Sequence, residues 1–162
     1  MAIFLDTETT GFSPHAGANV VEIAIVDERG RTLIDTLIDP RQEIPWQAQN
    51  IHGISDGMVR GKPTLQALLP RIREIIAGEE LVIYNAAFDT AFFPDRLRHA
   101  RAVSCAMTRF AGSLGGPWRK LEVAARHVGH QWTGPAHRAL ADALACRSVW
   151  LWLESESRKL GR

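Results

Sequence analysis

Asp6 and Glu8 stand two residues apart, and in an extended chain residues i and i+2 face the same way. Two carboxylates on one face repel each other unless a cation sits between them, and hard divalent cations take oxygen ligands of this kind. Read alone, the pair also suits a solvated strand end with two unrelated acids. Thr9-Thr10-Gly11 follows, and such a stretch lets backbone N–H groups approach a phosphate or a terminal hydroxyl. A third acid, Asp89, comes after Asn85-Ala86-Ala87-Phe88. By itself it fits an acid at a helix N-terminus, worth about 0.3–1 kcal/mol against the dipole. A fourth, Asp142, lies five residues beyond His137. On a helix that spacing is about 500° of rotation, leaving the two side chains about 140° apart. They share a site only if His137 sits on the loop before the helix, which Gly134 and Pro135 supply. A surface or capping histidine is the plainer alternative. The chemistry in view is an all-oxygen site for Mg²⁺ or Mn²⁺.

Such segments meet only in a particular frame. Ile3-Phe4-Leu5 reads as a short strand ending on Asp6, and residues 20–26 as a buried central strand, mostly apolar and β-branched. Residues 27–31 make a turn and 32–39 return as a third strand, completing an antiparallel three-strand meander that Pro40 and Pro45 end. Helices and strands then alternate. The 3.6-residue apolar period over 63–77 predicts a helix stopped by Gly78, with Pro70 giving a kink or a late start. Residues 81–84 and 102–105 are strands, 89–99 a helix, and 112–117 a loop rich in breakers. Residues 118–128 and about 139–154 are the last two helices. The pattern is that of an α/β chain, a mixed sheet flanked by helices, expected to form a single domain over 1–162.

Composition sets outer limits. Lys and Arg number 19 against 18 Asp and Glu, a formal charge of +1, which excludes a binder that holds nucleic acid by bulk positive charge. A chain of 162 residues with 46% hydrophobic and 23% charged content can bury a core without staples and is not an extended disordered segment. Cys105 and Cys146 have no metal-ligand spacing and suggest no disulfide framework. No apolar run approaches the ~18 residues of a membrane span. The N-terminus reaches an acid too soon for a signal peptide, so the expected location is cytoplasmic, with no membrane partner. The charge is divided, −6 over residues 1–57 and +7 over 58–162. Seven bases against the single acid Glu122 fall within 96–126: solvated helix faces, or a basic wall facing a phosphodiester chain.

Three ordered motifs carry a resemblance. Phe4-Leu5-Asp6-Thr7-Glu8-Thr9-Thr10-Gly11, Asn85-Ala86-Ala87-Phe88-Asp89 and His137-Arg138-Ala139-Leu140-Ala141-Asp142 resemble the DEDDh 3′–5′ exonucleases of the ribonuclease-H-like superfamily. That superfamily includes the epsilon proofreading subunit of DNA polymerase III, ribonuclease T, exonuclease X and oligoribonuclease. Val21-Glu22-Ile23-Ala24 and Ile51-His52-Gly53-Ile54-Ser55 look like its accessory motifs. The likeness runs from Asp6 to Asp142, and the compact, exonuclease X-like members are nearest in character. One departure is Tyr84, where many relatives have His.

The resemblance implies a catalytic set of Asp6, Glu8, Asp89, Asp142 and His137. Asp6, Glu8 and Asp142 would hold a first divalent ion, Asp6 and Asp89 would serve a second, and His137 would be the general base for the attacking water. Products would be 5′-nucleoside monophosphates released from a free 3′ end. Thr7, Thr9, Gly11, Phe12 and His52 are the expected substrate contacts, with loop packing the alternative for Phe12 and a structural turn for His52. Glu22 is read as structural or as a support behind the ligand residues, Asn85 as tying a loop, and Trp150 and Trp152 as core or dimer packing.

The expected substrate is single-stranded DNA or a frayed 3′ end, in a repair or proofreading role. RNA trimming by the same chemistry is the first alternative. A non-catalytic module docked to a polymerase is the second, and the intact five-residue set argues against it. The short stretch after Asp142 offers no evident tethering tail for a polymerase partner, and a homodimer is compatible with the sequence but not required by it.

Overall fold

A computed structural model describes residues 1–161. Strands β1 (Ala2–Thr9), β2 (Val20–Asp27) and β3 (Thr32–Leu37) form the antiparallel meander. Strands β4 (Glu80–Ile83) and β5 (Ala102–Cys105) add in parallel on the other side of β1, giving the order β3-β2-β1-β4-β5. Parity along β1 decides what each face receives. Ile3 and Leu5 join Ile23 and Ile25 in a core covered by Leu69, Ile72 and Ile76 of α3 (Leu65–Ile76). Phe4 joins Ala24 and Val26 in a second core, covered by α5 (Ala106–Leu114) and α7 (Ala139–Leu160). Asp6 and Glu8 share the parity of Phe4, so the sheet aims both at the α7 side.

Helix α7 completes the arrangement. Ala139, Ala143, Cys146, Val149 and Leu153 are buried against the sheet at helical spacing. Asp142 is one turn before Cys146, so a carboxylate lies beside the first turn of the apolar stripe. Alanines at 139, 143 and 24 let the helix approach the strands closely. Because β1 and β4 run parallel, both deliver their following residues to the same end of the sheet, where ligand sites of α/β folds gather. Helix α4 (Ala86–Thr90), directly after β4, therefore carries Asp89 to the Asp6–Glu8 pair. Among the described residues, no helix is long and apolar enough to cross a membrane.

The mixed sheet flanked by helices is the expected architecture, but several bounds differ. Strand β1 does not end on Asp6. Asp6 pairs with Ala24 and Glu8 with Glu22, and the register breaks only between Glu8 and Thr9. The helix expected over 89–99 stops at Thr90. Asp95 there accepts the Leu97 amide and pairs with Arg73 of α3 at 2.7 Å, while Arg96 and Leu97 adopt positive φ. Those tertiary bonds hold the backbone out of helix despite its apolar period. Pro70 lies inside α3, which starts late, at Leu65, after Thr64 accepts the Ala67 amide. Helix α6 (Leu121–His127) also starts late, because Lys120 is extended. Helix α7 continues beyond 154 to the next breaker, Gly161. The short helices α1 (Trp46–His52) and α2 (Asp56–Val59), which cover Val21 with Ile44, Ile54 and Val59, were not expected, nor was α5.

Candidate active site

The carboxylates of Asp6, Glu8 and Asp142 each offer an oxygen within 4.8 Å of the others. Asp89, 4% exposed, stands beside them and accepts a 2.7 Å hydrogen bond from the Thr7 hydroxyl. Thr7 is on the opposite parity of β1, so the strand presents two acids on one side and a tether for the third segment on the other. All four acids and His137 line one cleft of about 460 Å³. The five residues expected to act together are thus brought together.

Electrostatics in this cluster run against charge. Burial raises the Asp6 carboxyl well above the ordinary aspartate range, and Asp89, Asp142, Glu8 and Glu22 raise it further. Burial also pushes Glu8 up to about 8, with Asp142, Glu22 and Asp89 adding to the shift and Arg138 opposing it. Asp89 is carried to about 7 by burial, against the Thr7 hydrogen bond. Asp142 reaches about 6 through burial, with His137 pulling it down. Four partly or fully buried acids lining one cleft cannot all ionise readily without positive charge among them. The donor set is oxygen throughout and close enough to share an ion, so these residues fit a hard divalent cation.

His137 occupies the loop before α7, with Arg138 as the helix N-cap, as the five-residue spacing requires. Its φ of 61° turns the chain into the left-handed region, and its amide donates to Asp142 at 3.2 Å. The imidazole is half-exposed, with Nε2 3.3 Å from a Glu122 carboxylate oxygen on α6. Glu22 proves structural: it is 2% exposed and is bound by the Arg138 guanidinium.

The expected substrate contacts divide. Thr7, Thr9, Gly11, Phe12 and His52 all line a second, mainly apolar cavity of about 410 Å³ that shares Thr7, Glu8, Phe12 and Phe88 with the acid cleft. Phe12 is 87% exposed and belongs to both. The Thr9 hydroxyl is committed to the Gly11 carbonyl at 2.7 Å. His52 is buried at the end of α1, where its Nδ1 accepts the Ile54 amide, and burial lowers its pKa. It reaches the apolar cavity and not the acid cleft. Asn85 makes no side-chain cap bond and lines the cleft instead of tying a loop.

Tyr84, noted as a departure from the family pattern, also lines the cleft, as do Phe88, Met107, Trp118, Arg119 and Lys120, which were not expected as site residues. Trp118-Arg119-Lys120, an aromatic residue and two bases after a breaker-rich loop, was the available signal. The basic stretch over 96–126 is not one face. Arg109 pairs with Glu154 and lies over the buried Trp150 ring at 4.4 Å, while Arg119 and Lys120 face the cleft. Trp152, partly buried, packs with Phe110 and His127, so Trp150 is core and Trp152 packs against it.

The RNase_T exonuclease family model matches residues 3–149. An exonuclease of Escherichia phage 186, "Uncharacterized exonuclease CP81", is 36% identical over 160 residues, covering 86% of this chain and 81% of that protein. The epsilon subunit of DNA polymerase III from Rickettsia conorii is 31% identical over 116 residues, covering 69% of this chain but only 50% of the subunit. The chain therefore spans about half the length of that relative. Exonuclease X, solved with 5′ overhanging duplex DNA, superposes with a TM-score of 0.78 at 27% identity, covering 97% of this chain and 93% of that one. With the fold and the acid cluster in agreement, the chain belongs to the RNase_T exonuclease family, on the ribonuclease-H-like fold.

Proposed function

We propose that residues 1–162 act as a single exonuclease domain that removes nucleotides one at a time from DNA 3′ ends, single-stranded or frayed, as 5′-monophosphates. The observation that carries this reading is the convergence of Asp6, Glu8 and Asp142, with Asp89 and His137 in the same cleft. DNA is favoured because exonuclease X, at 27% identity, was solved with DNA and the DNA polymerase III epsilon relative is 31% identical.

Asp6, Glu8 and Asp142 would hold one Mg²⁺ or Mn²⁺ ion, with Asp6 and Asp89 serving a second. Held there, a divalent cation would supply Lewis-acid activation of the attacking water and charge stabilisation for the leaving 3′ oxygen. The chain's own residues do the rest. Thr7 fixes the Asp89 carboxylate through its hydroxyl. Asp142 accepts the His137 amide and so holds the loop that presents the imidazole. The His137 imidazole accepts the proton of the attacking water, and Glu122, 3.3 Å from Nε2, favours the resulting imidazolium. Phe12, exposed between the two cavities, stacks on the terminal base, and the apolar cavity takes the terminal nucleoside.

A 5′-labelled DNA oligomer incubated with Mg²⁺ should shorten stepwise, and chelator or Asp142→Ala should stop it. Undiminished digestion by the Asp142→Ala protein would overturn the reading. A matched RNA oligomer, run in parallel, decides the sugar preference.

A further inference from the structure

Residues 115–120 connect α5 to α6 along the rim of the acid cleft, and all are exposed. Trp118 is 63% exposed and lines the cleft, an indole face left open to solvent beside four carboxylates. Arg119 and Lys120 follow it into the same wall, and neither is in an ion pair among the described residues. In contrast, Arg73, Arg101, Arg109 and Arg138 all lie within 4.0 Å of an acid. An open aromatic face next to two unpaired cations is the chemistry that takes a base and the phosphates flanking it.

Position says which part of the strand this would be. The apolar cavity and the acid cleft share Thr7, Glu8, Phe12 and Phe88, but Trp118, Arg119 and Lys120 line the acid cleft alone. With a terminal nucleoside in the apolar cavity and its phosphate at the acids, the rest of the strand leaves along the 118–120 rim. One side chain ties that rim to the sheet. Tyr84, 6% exposed and directly after β4, donates its phenol hydrogen to the Arg119 carbonyl at 2.7 Å. Burial raises its pKa, so the hydroxyl remains a donor.

We propose that Trp118, Arg119 and Lys120 form a seat for the nucleotides on the 5′ side of the scissile phosphate, and that Tyr84 is a positioning residue that holds this seat against the cleft. The assignment rests on the exonuclease reading above and refines it.

The p-nitrophenyl ester of thymidine 5′-monophosphate separates the two ideas. It offers a terminal nucleotide and a leaving group but no upstream strand. The measured quantity is the ratio of kcat/KM for a DNA oligomer to kcat/KM for this ester. Trp118→Ala should lower the ratio about tenfold, through the oligomer's KM. The double variant Arg119→Ala/Lys120→Ala should lower it as well. That variant should also flatten the salt dependence of metal-free oligomer binding by about 1.4 in log–log slope, for two lost phosphate contacts. Tyr84→Phe should lower the ratio less. Combined with Trp118→Ala it should add nothing further, which general loosening of the fold would not produce. A ratio within about twofold of the wild-type value in the Trp118→Ala and Arg119→Ala/Lys120→Ala proteins would overturn the seat. If the wild-type chain cleaves neither substrate, the exonuclease reading fails, and metal-free binding of a fluorescent oligomer then decides. Weakening by Trp118→Ala would uphold the seat; unchanged affinity would remove it.

Discussion

Glu22 and Arg138, far apart in the chain, form a bidentate pair: Arg138 Nε and Nη2 reach the two Glu22 oxygens at 2.6–3.1 Å. The Ala139 amide donates to the same carboxylate at 2.9 Å. Glu22 faces Glu8 across the β1–β2 ladder. A buried acid next to metal-binding candidates is thereby neutralised by the residue between His137 and Ala139, and the first turn of α7 is bolted to the central sheet. The pair holds both ends of the His137–Asp142 motif at their positions.

Removing the guanidinium should leave Glu22 buried and unpaired among like charges. Arg138→Ala should therefore lose about 3 kcal/mol of unfolding free energy, the low end for a broken buried pair because the arginine is partly open to water. Glu22→Gln should lose less, since a neutral amide needs no counter-charge. Urea denaturation at neutral pH measures both, and equal losses would contradict the account.

What could be read from the sequence follows a physical division. Asp6 and Glu8 were legible because strand parity is local, and His137 because helix rotation rules out any site shared with Asp142 unless the histidine precedes the helix. The α3 stripe was legible from its 3.6-residue period, and α7 only as a helix over about 139–154. Local pattern could not reveal that Glu22 and Arg138 pair, because only the closed sheet brings them together. It also failed at 89–99, where the Arg73–Asp95 pair and the Leu97 amide outweigh an apolar helical period. Trp118 was expected to open the helix over 118–128, but that helix starts at Leu121 and leaves Trp118 in the connecting loop. Its place on the cleft comes from the Tyr84–Arg119 bond across the fold.

Metal should repair the electrostatics of the acid cluster. Addition of Mg²⁺ or Mn²⁺ should raise Tm, by an amount equivalent to about 2.7 kcal/mol at a hundred times Kd. Asp6→Asn should abolish that rise. The same variant should melt higher than the metal-free wild type, because a carboxyl whose ionisation is opposed by burial and by four neighbouring acids has been replaced by an amide. Thermal melts of both proteins with and without metal give the answer. A metal-free Asp6→Asn protein that melts well below wild type would show that the carboxylate serves the fold and not an ion.

Asp27 governs an acid limb elsewhere in the molecule. Its side chain is 3% exposed at the end of β2. It accepts the Arg29 and Arg31 amides and the Arg31 Nε. Burial alone would raise its pKa, but those bonds bring it below the ordinary aspartate value. A lowered folded-state pKa contributes stability that is present above about pH 4, the unfolded value, and is lost as pH falls through the folded one. Asp27→Asn should therefore be less stable than wild type at pH 7 by about 1–3 kcal/mol, and the gap should narrow toward pH 3. Parallel denaturation curves at the two pH values test this. A gap that is constant with pH would assign the loss to packing.

His137 carries a cost that can be separated from its use. Its φ of 61° is a left-handed conformation, which disfavours any side chain with a Cβ by about 1–2 kcal/mol relative to glycine. The imidazole itself is half-exposed and its Glu122 partner comparably open, so their contact adds less than about 1 kcal/mol to stability. His137→Ala should accordingly fold nearly as well as wild type, and His137→Gly should be more stable than His137→Ala by about 1 kcal/mol. Both should lose about 10²–10⁴-fold in kcat, the usual contribution of a general base. Glu122→Gln should retain wild-type stability and lose a smaller factor in kcat, because the imidazole then lacks an ionised partner when it takes the proton. Denaturation curves and single-turnover rates on one DNA oligomer measure all three variants. If His137→Gly cleaves at the wild-type rate, the proton goes elsewhere and the histidine is there for the turn alone.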